Sequence, residues 1–114
     1  MINAKCHCGA ISFDVPDLPE NLGRCNCSIC SRLGSLWAYY PSHSIDLTAA
    51  NEASKAYVWG DKMLNIHHCP TCGCTTHWSN RIDPNAPKIG VNARMFEDVD
   101  ISNIPLREID GASF

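Results

Sequence analysis

Residues 64–74 read Leu-Asn-Ile-His-His-Cys-Pro-Thr-Cys-Gly-Cys. Leu64, Ile66 and His68 alternate with Asn65 and His67, the period-two pattern of a half-exposed strand. That strand runs into Cys69-Pro70-Thr71-Cys72-Gly73, a knuckle in which Pro70 pre-sets a turn residue and Gly73 admits a positive φ. Cys6-His7-Cys8-Gly9 ends in the same way. Two such knuckles supply four thiolates, the number that a closed tetrahedral zinc site takes. The reading is a structural zinc held by Cys6, Cys8, Cys69 and Cys72, tying the N-terminal region to the middle of the chain.

The remaining cysteines follow from the count. Eight occur in 114 residues, in three tight clusters. Disulfide frameworks spread their half-cystines, because cross-links stabilise most when they close long loops. Residues two or three apart bridge each other only with strain. Clustering therefore favours metal. The middle cluster, Cys25, Cys27 and Cys30, offers three thiolates within six residues. A structural site takes four protein ligands, whereas a catalytic zinc keeps three and leaves a position open. The alternative is a second closed site, with Cys74, His67, His68 or His77 as fourth ligand. The spacings match neither common ferredoxin run.

Outward from the knuckles the chain reads as short strands, and the fold class is mainly β. Ala10–Val15, Leu22–Cys27, the apolar run Leu36–Tyr40, Lys55–Trp59, Leu64–His68, Thr75–Trp78, Lys88–Asn92 and Leu106–Ile109 are the expected strands. Gly60-Asp61-Lys62 marks a hairpin tip. Pro84 and Pro87 mark a loop over Asn80–Lys88, and Ala93–Val99 holds room for one helical turn. No window carries a sustained helical stripe. The length suits one zinc-stabilised domain over residues 1–114, with metal supplying part of the folding free energy.

Charge narrows the function classes. Nine Lys plus Arg stand against twelve Asp plus Glu, a formal charge of −3. There is no basic run for a nucleic-acid backbone, no apolar stretch long enough to span a membrane, and no signal-peptide core. A reducing, cytoplasmic setting is expected. Seven zinc-bound thiolates against two Zn2+ would bring the charge to about −6. An anionic substrate would then need local cations; Arg24 and Arg32 flank the middle cluster, and Arg94 lies further off. Each, taken singly, reads as a solvated surface residue. His67 and His68 are candidate proton relays or ordinary strand residues. Trp37, Tyr39, Tyr40, Trp59 and Trp78 are expected in the core rather than as a ligand platform.

The order C-x-C-G, R-C-N-C-S-x-C, C-P-x-C-G resembles the glutathione-dependent formaldehyde-activating family, which also includes centromere protein V. Leu33-Gly34-Ser35-Leu36-Trp37, Tyr57-Val58-Trp59-Gly60 and Val91-Asn92-Ala93-Arg94 extend the resemblance over residues 5 to about 110. It implies small stacked antiparallel sheets (a zinc-ribbon-like β-tent). It implies two Zn2+ per chain: a structural ion on Cys6, Cys8, Cys69 and Cys72, and a catalytic ion on Cys25, Cys27 and Cys30. It also implies a carbon–sulfur lyase acting on a small thiol–aldehyde adduct, S-hydroxymethylglutathione. Cys74 falls outside the seven-cysteine pattern, and in so short a chain loops that could bind the peptide part of glutathione are expected to be missing. The competing reading is a non-catalytic zinc module for protein interaction or for metal and thiol sensing. Oligomeric state is left open.

Overall fold

The computed structural model describes residues 1–83 and 85–113. Two short strands, β1 (Ile2–Lys5) and β2 (Ser12–Val15), pair antiparallel around the first knuckle, with Ile2 opposite Val15 and Lys5 opposite Ser12. β3 (Leu22–Cys25) leads into the middle cluster, followed at once by a six-residue helix, α1 (Ser28–Leu33). β4 (Trp37–Pro41) is the apolar aromatic strand. A second six-residue helix, α2 (Thr48–Ala53), precedes β5 (Lys55–Tyr57). β6 (Leu64–His68) and β7 (Thr75–Asn80) flank the Cys69 knuckle. β8 (Lys88–Asn92) runs into a 3-10 turn, Ala93–Met95, and β9 (Leu106–Ile109) ends the larger sheet.

The fold is mainly β, as the strand patterning requires. β5, β6, β7, β8, β4, β3 and β9 lie side by side in that order. Pairing is antiparallel except for β3 and β9, which run parallel with Gly23 opposite Arg107 and Cys25 opposite Ile109. The sequence reading expected antiparallel sheets. The difference arises because the chain returns to β9 through Pro105 and a crossing segment, not through a hairpin; Leu22 donates its N–H to the Pro105 carbonyl at 2.9 Å.

Three features were not anticipated. β1 was missed because four residues show little alternation. α1 and α2 were missed because neither carries an apolar stripe; α1 buries no residue and α2 only Ala50. The Asp46 carboxylate accepts from the Thr48 N–H at 3.0 Å just ahead of α2, but the N-cap position itself is Leu47, which makes no side-chain cap bond. The expected loop between β7 and β8 is present at residues 81–83 and 85–87; Pro84 lies outside the described residues.

Alternation gives the larger sheet two unlike faces. One face contributes Leu22, Ala38, Tyr40, Ile89 and Val91 to a core shared with Ala4, Phe13 and Val15 of the β1–β2 hairpin. The other face carries Trp37, Tyr39, Gly90 and Trp78, and it forms the floor of a cleft beside the middle cluster.

Candidate metal centres and the adjoining cleft

The two knuckles are built alike. Cys6 donates its N–H to Ile11 O at 3.0 Å and Cys69 donates to Cys74 O at 2.9 Å. Gly9 and Gly73 take φ of 83° and 82° and donate back to the Cys6 and Cys69 carbonyls. These turns bring Cys6, Cys8, Cys69 and Cys72 together, with all four sulfurs within 4.8 Å of one another. Cys6 and Cys8 sulfurs stand 3.7 Å apart, and Cys8 and Cys69 sulfurs 3.6 Å. An ion bonded to sulfur at about 2.3 Å in tetrahedral geometry needs sulfurs roughly 3.8 Å apart, so the set fits zinc. Backbone N–H groups add to the fit. The Ile11 N–H reaches Cys6 Sγ at 3.3 Å, and N–H groups of Cys74 and Cys8 pull the Cys72 thiol down to about 5.

The middle cluster sits where β3 turns into α1. Cys25 ends the strand, and Cys27 is the helix N-cap, its sulfur accepting from the Cys30 N–H at 3.4 Å. The Cys27 N–H points to Cys25 Sγ at 3.5 Å, and the Trp37 indole N–H to Cys30 Sγ at 3.4 Å. Cys25, Cys27 and Cys30 sulfurs also lie within 4.8 Å of one another. Burial pushes the Cys30 thiol up to about 12 against the pull of the Trp37 N–H, and Cys27 and Cys25 add to the push. Three thiolates here call for a cation, so this donor set also fits a metal. Among the described residues no fourth His, Cys, Asp or Glu joins it.

Cys74 lies beside Cys72 and the His7 backbone, at the four-sulfur group, so it does not close the middle one. The histidines do not close it either. His67 hydrogen-bonds Ser54 and Ser79, both at 2.8 Å, and His77 hydrogen-bonds Thr76 at 2.8 Å and Asn51 at 2.7 Å. The two rings stack at 4.2 Å in the core. The relay role suggested for His67 is therefore not what its surroundings support. Arg24 pairs with Glu108, Arg32 with its own helix at Ser28 O, and Arg94 with Gly34 O. All three read as surface residues in this fold.

The three-sulfur cluster opens on a cleft of about 470 Å3, a size suited to a small ligand. Trp37, Tyr39, Trp59 and Trp78 line it, with Ile66 and Ile109. Trp37 and Tyr40 are buried, as expected of core aromatics, whereas Trp59 is 40% exposed and, with Tyr39 and Trp78, lines the cleft instead, which corrects the expectation for those three. Three glycines make the room. A Cβ on Gly23 would meet Ile109 Cδ1 at 2.6 Å and the Tyr39 hydroxyl at 2.9 Å; on Gly90 it would strike the Trp78 indole, and on Gly111 the Cys25 sulfur. Among the described residues, Asp61 is the single charged side chain in the lining apart from the thiols.

No curated protein matches this chain significantly. Among solved structures, a crystal structure of a Rhodobacter sphaeroides protein is 29% identical and covers 92% of this chain and 99% of its own, with a TM-score of 0.75. The family described as glutathione-dependent formaldehyde-activating enzyme matches over residues 1–108, a span that takes in all three cysteine clusters. The chain belongs to the glutathione-dependent formaldehyde-activating enzyme family.

Proposed function

We propose that this chain is a single-domain, zinc-dependent carbon–sulfur lyase-like protein, working in the cytoplasm on thiol–aldehyde adducts of the S-hydroxymethylglutathione type. One structural zinc would be held by Cys6, Cys8, Cys69 and Cys72, and one catalytic zinc by Cys25, Cys27 and Cys30. The carrying observation is the three-sulfur cluster without a fourth side-chain ligand among the described residues, set at one end of an aromatic cleft. Zinc bound there supplies a Lewis-acid position at which an incoming thiol loses its proton readily.

The chain's own groups do the rest. N–H groups of Cys27, Cys30 and Trp37 point at the sulfurs of Cys25, Cys27 and Cys30 respectively and orient them toward one another. The aromatic walls exclude water around the adduct. In the forward direction the thiol sulfur bonds to the aldehyde carbon and the thiol proton ends on the aldehyde oxygen; in reverse that C–S bond breaks and the aldehyde leaves. Magnetisation-transfer NMR between free formaldehyde and its glutathione adduct tests the reading. Exchange should rise in proportion to zinc-loaded protein; exchange at the uncatalysed rate overturns it.

A further inference from the structure

We infer that Asp110–Ser113 is a strap seated on the middle sulfur cluster, and that Asn26 is the positioning residue that latches it there. Asn26 stands between Cys25 and Cys27, where β3 passes into α1. Its backbone N–H donates to the Ile109 carbonyl at 3.1 Å, one bond beyond the β3–β9 pairing. Its side-chain amide spends both ends on the segment that follows β9. Nδ2 donates to Asp110 Oδ1 at 3.0 Å, and Oδ1 accepts from the Ala112 N–H at 2.9 Å. A carboxylate accepts and a backbone N–H donates, so the two partners fix which way the amide points. The other Asp110 oxygen accepts from the Ser113 hydroxyl at 2.7 Å, and the Ser113 N–H donates to the Asp110 carbonyl at 3.3 Å. Residues 110–113 are thus closed into one turn and fastened to Asn26.

The turn presses on two of the three cysteines. A Cβ on Gly111 would strike Cys25 Sγ and would lie 3.3 Å from Cys27 Cβ and 3.8 Å from Cys27 N. Cys25 is only half-buried, and the Gly111 backbone packs against its sulfur. With the strap down, Cys25 Sγ is kept beside its two partners; with the strap lifted, it is free to swing into solvent and leave an ion on two thiolates. The fastening is on the surface, since Asn26 and Asp110 are exposed. Exposed hydrogen bonds are individually weak, and such segments open locally far more often than the whole fold unfolds. The latch therefore sets how long the middle site keeps its third donor. The strap lies beyond residues 1–108, the span of the family match, so membership of the family assigns it no role. The inference rests on the reading of Cys25, Cys27 and Cys30 as a zinc site, and adds what governs the lifetime of the ion there.

The latch has a polarity that can be reversed, which gives the test. In Asn26→Asp, two carboxylates meet where an amide met a carboxylate. In Asn26→Asp/Asp110→Asn, donor and acceptor exchange places, the carboxylate at 26 still accepts from Ala112, and the net charge is that of the parent. Asn26→Ala removes the latch without adding charge. Zinc transfer from the loaded protein to excess chromophoric chelator supplies the rates, with the four-sulfur ion as internal control. The middle zinc should leave Asn26→Ala and Asn26→Asp about tenfold faster than the parent, and the double variant at close to the parent's rate. Iodoacetamide labelling of Cys25, followed by mass spectrometry, should rank the four proteins in the same way. Should Asn26→Ala fail to fold, Asp110→Ala, which cuts one latch bond from outside the cluster, should speed release instead. Release at the parent's rate from Asn26→Ala or its substitute, or a double variant no slower than Asn26→Asp, overturns the latch. A parent that binds one zinc per chain sinks the reading of the middle cluster as a metal site. Cys25 labelling then decides the latch alone: faster in Asn26→Ala and restored in the double variant upholds it, and unchanged labelling overturns it.

Discussion

The Trp37 indole N–H lies 3.4 Å from the Cys30 sulfur. It is a side-chain donor to the very thiol that burial pushes hardest toward protonation. Outer donors of this kind tune metal ligands. Trp37→Phe should keep the fold and lower zinc affinity at the middle site roughly 10-fold or more. Competition with a chromophoric chelator measures it; unchanged affinity would show the indole to be packing only.

The two sulfur groups should fail differently. Cys27→Ser should lose about one zinc per chain and stay folded, because its cluster is local to one strand end and one helix start. Cys72→Ser should unfold or precipitate, because its group joins two hairpins far apart in sequence. Metal analysis beside far-ultraviolet circular dichroism distinguishes them. Equal behaviour would remove the division into structural and catalytic sites.

Gly111 and Gly34 are required for different reasons. A methyl at 111 would collide with Cys25 Sγ, whereas at 34 it meets nothing within 4 Å but must take a φ of 65°. Gly111→Ala should therefore cost the middle zinc. Gly34→Ala should keep it and lose about 1–2 kcal/mol of stability. Zinc retention with a urea titration reads both.

Acid should unfold the protein partly through its histidine pair. Burial holds His77 at about 3 and His67 at about 4; a charge on His67 further disfavours charge on His77, and one on His68 disfavours charge on His67. An unfolded histidine titrates near 6.5, so from there down to about 3 the unfolded chain binds more protons. Stability is full above that window and falls as pH falls through it. His77→Gln should flatten the fall of Tm between about pH 6.5 and pH 4. Both proteins keep every cysteine, so metal release affects them equally; parallel curves would dismiss the pair as a cause.

Ser35 is 3% exposed, and among the described residues its hydroxyl has no hydrogen-bond partner. A buried unpaired hydroxyl costs folding free energy that a methyl does not. Ser35→Ala should stabilise the chain by about 1 kcal/mol in urea unfolding; destabilisation would mean that the hydroxyl is satisfied by bound water.

The cysteine groups were legible because knuckle chemistry is local: Pro70, Gly73 and Gly9 announce their turns within five residues. β6, β8 and β9 were legible to their ends because alternation and turn residues bound them. The cleft was not. Its floor is laid across strands that meet only through sheet register, and Trp78 and Tyr39 read as core in any window of sequence. Gly23, Gly90 and Gly111 serve by leaving space for a side chain from elsewhere, and spacing along the chain carries no mark of that.

The parallel seam between β3 and β9 has a consequence for biosynthesis. Arg24 and Glu108 face each other from positions 84 residues apart. At a translation rate of about 5–20 residues per second, roughly 4–17 s pass between the two. During that interval Cys25, Cys27 and Cys30 have left the peptidyl-transferase centre, but the strand bearing Ile109 and the glycine that makes room for Cys25 do not yet exist. The nascent thiols meet cellular metal and oxidant before their shelter is made, so ribosome pace sets how long the half-built pocket stays exposed.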